Sequence, residues 1–215
     1  MWHDFELNGE FLCLLLEIDR QIAETMREEG CRCGGQLDRA DYPRKPRGIA
    51  PQAEEAFSRR ISFSCNQDGC RKRHTPMSVR FLGRRVYVAA VVVLACAWAQ
   101  LTKAADVPGR DQSTQAANTG APEQRSEAAE TPAAKPLAPA RTVKRWRKWW
   151  QTGFIASALW SADKGRFVSP VSTEQLPASL LERFSGTAGD KLKATLKWLS
   201  PLSTSSHWPG SVMAE

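Results

Sequence analysis

The chain has 215 residues, 42% of them hydrophobic, and a net charge of +7. That length suits one ordinary domain or two small ones, and that composition allows a core without much to spare. The opening MWHDFELNGEF is acidic where a secretory signal needs a positive n-region, so an exported chain is not expected and its thiols are expected to stay reduced.

Charge is unevenly placed. Residues 1–30 carry two arginines against eight acids, whereas residues 31–85 carry thirteen Lys/Arg against five acids. Residues 141–150 carry five Lys/Arg and no acid. A basic centre behind an acidic start suits a polyanionic partner, and a plain solvated surface is the alternative.

Residues 1–30 hold the first predicted element, an amphipathic helix over 5–28. Phe11, Leu14, Leu15, Ile18, Ile22 and Met26 recur at helical steps, and Gly30 is a natural stop. Cys13 falls within this apolar pattern and, like Cys96, is expected to be a packed thiol. Residues 31–83 change character, with frequent Gly, Pro and Arg. RISFSC (60–65) alternates like a strand, with Ile61 and Phe63 on one face. Loop-rich modules of this kind need a staple.

Residues 84–103 are predicted as one buried helix. Its apolar run, VYVAAVVVLACAWA (86–99), is shorter than the roughly 17–25 residues of a bilayer span, and a membrane segment over 86–101 is the competing reading. Residues 104–140 are mainly Ala, Pro, Thr, Glu and Gln, too poor in large apolar side chains to offset their ordering entropy, so a disordered linker is expected. Order returns over 141–200. RTVKRWRKWW places Val143, Trp146 and Trp150 on one helical face with Trp149 beside it. Helices follow at LPASLLERF (176–184) and DKLKATLKWL (190–199). The second has Asp190 as its expected N-cap and Leu192, Leu196 and Leu199 as its buried stripe. Residues 201–215 are expected to form a tail.

Cys31 and Cys33 in CRCGG and Cys65 and Cys70 in CNQDGC make two close pairs. Four thiolates are a tetrahedral ligand set, and Gly34, Gly35 and Gly69 permit tight turns around them. The expected metal is a structural Zn2+ that supplies folding energy. The alternative is four cysteines unrelated in space. His74 could stand in as a ligand, although a solvated histidine is the simpler expectation.

Basic residues crowd this module: Arg44, Lys45, Arg47, Arg59, Arg60, Arg71, Lys72, Arg73, Arg80, Arg84 and Arg85. In the second cluster Arg141, Lys144, Arg145, Arg147 and Lys148 alternate with tryptophans. On a helix this puts phosphate-binding charges outside and core anchors inside. A basic face merely left in water, or a helix lying on a membrane surface, would look the same.

The Cys pairs, the stretch RKRHTPMSVRFLGRRVYVAAVVVLACA and RTVKRWRKWW together resemble proteins encoded with bacterial insertion sequences, which join a zinc ribbon to a helix-turn-helix and are transposases or transposase-associated. The resemblance covers roughly residues 31–200. It implies zinc on Cys31, Cys33, Cys65 and Cys70, and a recognition helix over Arg141–Trp150 led into by residues 84–102. It also implies DNA as partner, with a transposase or a second copy beside it, and a cytoplasmic, nucleoid-associated location. The expected fold is therefore mainly α with a small zinc-ribbon β module, its helix-turn-helix-like part interrupted by the linker.

No linear catalytic signature is present. Most acids fall in the first helix and the linker. His3, His74 and His207 are isolated, and neither Tyr42 nor Tyr87 has the Arg/His set of a recombinase nucleophile. The reading favours a non-catalytic DNA-binding protein, with a transposase fragment whose site is unrecognised as the alternative.

Overall fold

The computed structural model describes residues 7–49, 57–83, 85–105 and 137–204. Among these residues the chain is mainly helical, with two small antiparallel sheets.

Helix α1 spans Gly9–Glu29. The Asn8 side chain accepts the Phe11 N–H at 2.9 Å, and Gly30, at φ 71°, closes the helix. The buried face is Leu12, Leu15, Ile18, Asp19 and Ala23. This stripe is turned from the expected one: Leu14 is 42% exposed, and Cys13 faces solvent instead of packing. Steps of three and four from Leu12 lead through Leu15 to Asp19 and Ala23, so the face centres on an acid that finds buried partners.

The loop-rich module forms β1 (Leu37–Arg39), β2 (Tyr42–Pro43), β3 (Arg59–Arg60), β4 (Phe63–Cys65) and β5 (Arg73–His74). One sheet runs β1-β4-β5, with Leu37 opposite Cys65 and Phe63 opposite His74, and β2 pairs with β3. The expected alternation in RISFSC fails, since Ile61, Ser62 and Phe63 are all buried. Ser62 is tolerated because its amide donates to Asp41 Oδ1 at 3.1 Å and its hydroxyl to the Ala40 carbonyl at 2.8 Å.

Helix α2 covers Ala89–Ala105. It begins later than expected because Tyr87 and Val88 are bridged, as extended backbone, to Arg47 and Phe81. Val88 to Ala97 are all buried, Cys96 among them. Helix α3 (Ala140–Trp149) continues as a π-turn over Trp150–Phe154. Helices α4 (Ala158–Asp163), α5 (Ala178–Leu181) and α6 (Ala188–Leu199) follow. Helix α2 lies against α3, α5 and α6, which cover its apolar surface. Among the described residues no helix is long and apolar enough to cross a membrane.

Most of the expected linker, 106–136, lies outside the described residues. Its ends do not behave as linker: Ala105 is still helical, Ala138 is buried and Ala140 opens α3. The helix expected over 176–184 is limited to Ala178–Leu181. Thr187, not Asp190, caps α6; the two form a reciprocal capping box, with Asp190 N–H donating to Thr187 Oγ1 at 3.2 Å. Leu192, Leu196 and Leu199 are buried as expected.

Two apolar clusters result. The smaller comprises Ala23, Cys31, Leu37, Ile61, Phe63 and Cys65, and the larger is built around α2 and the tryptophans. The segment leading from β5 to α2 is fastened to α1 by Asp19. Its carboxylate accepts from the Ser78 hydroxyl at 2.5 Å, the Val79 amide at 2.7 Å and Arg80 Nε at 2.7 Å. The Asp19–Arg80 pair is almost wholly buried, and the guanidinium lies over Phe57 and Phe81. Asp19→Ala would leave Arg80 charged and enclosed without its anion, a change that costs about 3–5 kcal/mol. Urea unfolding should show a loss of that order. The paired change Asp19→Leu with Arg80→Met should lose less, because the Arg80 charge is removed together with its anion.

Candidate metal centre

The turn at the end of α1 builds the first half of the site. Gly30 redirects the chain, the Cys31 amide donates to the Gly35 carbonyl at 3.0 Å, and the Gly34 amide donates to the Cys31 carbonyl at 2.8 Å. Gly34 sits at φ 86°, a conformation that favours glycine. This tight loop lets Cys31 and Cys33, one residue apart, point the same way. The second half hangs from β4. The Cys65 amide donates to the Lys72 carbonyl at 2.9 Å and the Cys70 amide to the Gln67 carbonyl at 3.1 Å, with Gly69 at φ 85°.

The halves are stitched together by backbone. The Asn66 amide donates to the Gln36 carbonyl at 3.0 Å, and the Gln36 amide donates to Asn66 Oδ1 at 3.0 Å. Gly35 is the tightest point: a Cβ there would lie 2.7 Å from Cys65 Sγ and 2.8 Å from Gln67 Cβ.

The four sulfurs of Cys31, Cys33, Cys65 and Cys70 all lie within 4.8 Å of one another. Cys31 and Cys70 are 3.8 Å apart, and Cys33 and Cys65 are 3.4 Å apart. Four thiolates about 2.3 Å from a tetrahedral metal would be about 3.8 Å from each other, so the donor set fits such an ion with little adjustment. All four cysteines are free thiols.

Three of the sulfurs also receive an amide two residues further on: Cys33 to Cys31, Gln67 to Cys65 (3.4 Å) and Lys72 to Cys70. The Cys33 amide, opposed by burial, lowers the Cys31 thiol to about 6. Burial pushes Cys65 up to about 12. Cys70 is also raised: the Lys72 amide draws it down, but the Cys33 thiol and burial outweigh that.

The basic residues separate into two kinds. Arg71, Lys72 and Arg73 are exposed on the metal-site turn, where Arg71 pairs with Asp68 at 2.6 Å and Arg73 lies over the Tyr42 ring. Arg141, Lys144, Arg145 and Lys148 are exposed on α3, above the buried Trp146, Trp149 and Trp150. Arg147 is half-buried, with its Nε enclosed and unpartnered. Arg85 is half-buried too. It lies 4.6 Å from the Trp149 ring centre, and burial lowers it to about 9. Arg84 falls outside the described residues.

Others in the basic crowd are structural. Arg80 meets Asp19, buried Arg60 donates to the Pro76 carbonyl, and Arg44 donates to the carbonyls of Gly83 and Arg85. One residue around these sites was not singled out by sequence. Asp19 was hidden as an acid in the register of an apolar stripe. His74 proves half-buried instead of solvated, with its ring against the Cys31 thiol.

No family model, curated protein or solved structure matches the chain.

Two outcomes follow from the thiol geometry. Gly35→Ala should weaken metal binding, because the new methyl meets a ligand sulfur and the chain behind it; competition against a chromophoric chelator reads the loss. Cys65 and Cys70 hold their protons at pH 7 in the metal-free protein, so a metal must displace at least two. Apparent affinity for zinc or cadmium should therefore rise with pH, by at least about two decades per unit near pH 7. Titrations at closely spaced pH values test the slope.

Proposed function

We propose that this chain is a non-catalytic DNA-binding protein whose loop-rich module is held by one structural Zn2+. The observation that carries the DNA reading is the stripe on α3. Arg141, Lys144, Arg145 and Lys148 are exposed at steps of three and four, while Trp146, Trp149 and Trp150 beneath them are buried. A helix seated this firmly can offer a line of cations to a phosphate backbone without rearranging. Tyr87 meets Trp146 edge-on at 4.9 Å, and Trp149, Trp150 and Phe154 pack together below in tilted and edge-to-face contacts, so the helix is well seated.

Zinc is the metal that a four-thiolate set best suits, since it asks for tetrahedral sulfur and brings no redox chemistry. With all four positions filled by protein, no open site is left for a substrate, which favours a structural role. The segment it staples has strands of only two or three residues and a small apolar cluster. The insertion-sequence resemblance adds a setting for this reading: a protein of a mobile element, acting on DNA in the cytoplasm beside a transposase or a second copy of itself.

Changing Lys144 and Arg145 together to Ala should weaken binding to duplex DNA and reduce the salt dependence of log K by about 2 if both cations meet phosphate. Circular dichroism should be unchanged, because both side chains are exposed. Trp146→Ala should instead cost about 3–5 kcal/mol of stability. Binding by the double variant equal to wild type across a salt series would refute a role for this stripe.

A further inference from the structure

The imidazole of His74 lies outside the four-sulfur set and has no role in the function proposed above. It sits on β5, opposite Phe63 of β4, the strand that ends in Cys65. The ring lies against the Cys31 thiol, and its buried Nε2 has no hydrogen-bond partner. A buried ring nitrogen left unsatisfied destabilises a fold unless something at the site completes it.

The charge of a loaded site supplies what is missing. Four thiolates around a divalent ion leave a net charge of −2 inside a small module, and each sulfur retains lone pairs able to accept N–H groups. Backbone amides already serve Cys31, Cys65 and Cys70. Cys31 differs in having a side-chain ring against it as well. It is also the buried member of the C-x-C pair, where solvent cannot offset the charge, whereas Cys33 is exposed.

We propose that His74 is a positioning residue of the metal centre: its ring N–H donates to the Cys31 thiolate and holds that ligand in place, without binding the metal itself. The proposal rests on the four-cysteine reading. Outer donors of this kind are worth about 10–100-fold in metal affinity.

The test uses the full chain under reducing conditions, with cobalt(II) as spectroscopic probe and zinc affinity read by competition with a chelator. Wild type should give the visible spectrum of tetrahedral cobalt on four thiolates. His74→Ala should keep that spectrum but bind zinc about 10–100-fold more weakly. His74→Gln, which keeps an N–H donor, should recover most of the loss. Circular dichroism of the zinc-saturated variants checks that the module still folds.

A cobalt spectrum that shifts in His74→Ala would make His74 a ligand and overturn the proposal. So would zinc affinity equal to wild type in His74→Ala, or a Gln variant as weak as the Ala variant. A wild-type chain that takes up neither cobalt nor zinc would defeat the metal reading itself, and that result is seen before any variant is made.

Discussion

Three donors converge on one buried carboxylate, and most of the architecture hangs on that convergence. Asp19 takes the Ser78 hydroxyl, the Val79 amide and Arg80 Nε in a place water does not reach. An isolated carboxylate there would be strongly unfavourable; with three donors it becomes a fixed point. The residues it fixes, Ser78, Val79 and Arg80, lie on the stretch of chain that leads from β5 to α2. Since Ser78, Val79 and Arg80 are held against α1, the start of α2 is set as well: the Ala89 amide donates to the Arg80 carbonyl at 2.8 Å. Arg80 then lies over both Phe57 and Phe81, so its cation is matched by an anion along one edge and aromatic faces on the others.

This fixed point lets α1 serve two cores at once. Leu12, Leu15 and Ile18 enter the large cluster around α2, while Ala23, further along the same face, enters the small one with Cys31, Leu37, Ile61, Phe63 and Cys65. Two of the six residues of the small cluster are themselves cysteines of the four-sulfur set. The small core and the four-sulfur cluster are thus one object. Burial of so few side chains is modest, and a metal would add what the apolar contacts lack. The glycines serve the same end: Gly35 is bare because Cys65 Sγ occupies the space a methyl would need.

Much of this was legible in the sequence. The four cysteines were recognisable because thiol pairs beside glycines have few other uses in a reduced chain. The tryptophan face of α3 was legible because a 3.6-residue period survives any neighbour. Charge was harder to read. Counting arginines suggested a broad basic surface, but Arg60, Arg80 and Arg44 turn inward to carbonyls and to Asp19, and Arg85 lies on Trp149. Arginine's long apolar stem and planar head let it enter a core that lysine would avoid, so type and count do not fix its place. The register of α1 failed for a related reason. An acid was assumed to face water, and only the partners from residues 78–80, about sixty positions away, pull it inside. The late start of α2 was hidden too, because bridges to Arg47 and Phe81 hold Tyr87 and Val88 extended against their local pattern.

The same connections bear on the basic stripe. Helix α3 touches α2 directly, Tyr87 just before α2 meets Trp146 edge-on, and Arg85 lies over Trp149. The tryptophan layer is therefore seated on the segment that Asp19 anchors, and the orientation of Lys144 and Arg145 follows from it. The four exposed cations sit within two turns of helix, roughly 10 Å along its axis. Their mutual repulsion is unrelieved by any acid in the helix. Isolated like charges at these spacings are mildly destabilising. The tryptophans beneath impose the arrangement, and the DNA proposed as partner would supply its counter-charge.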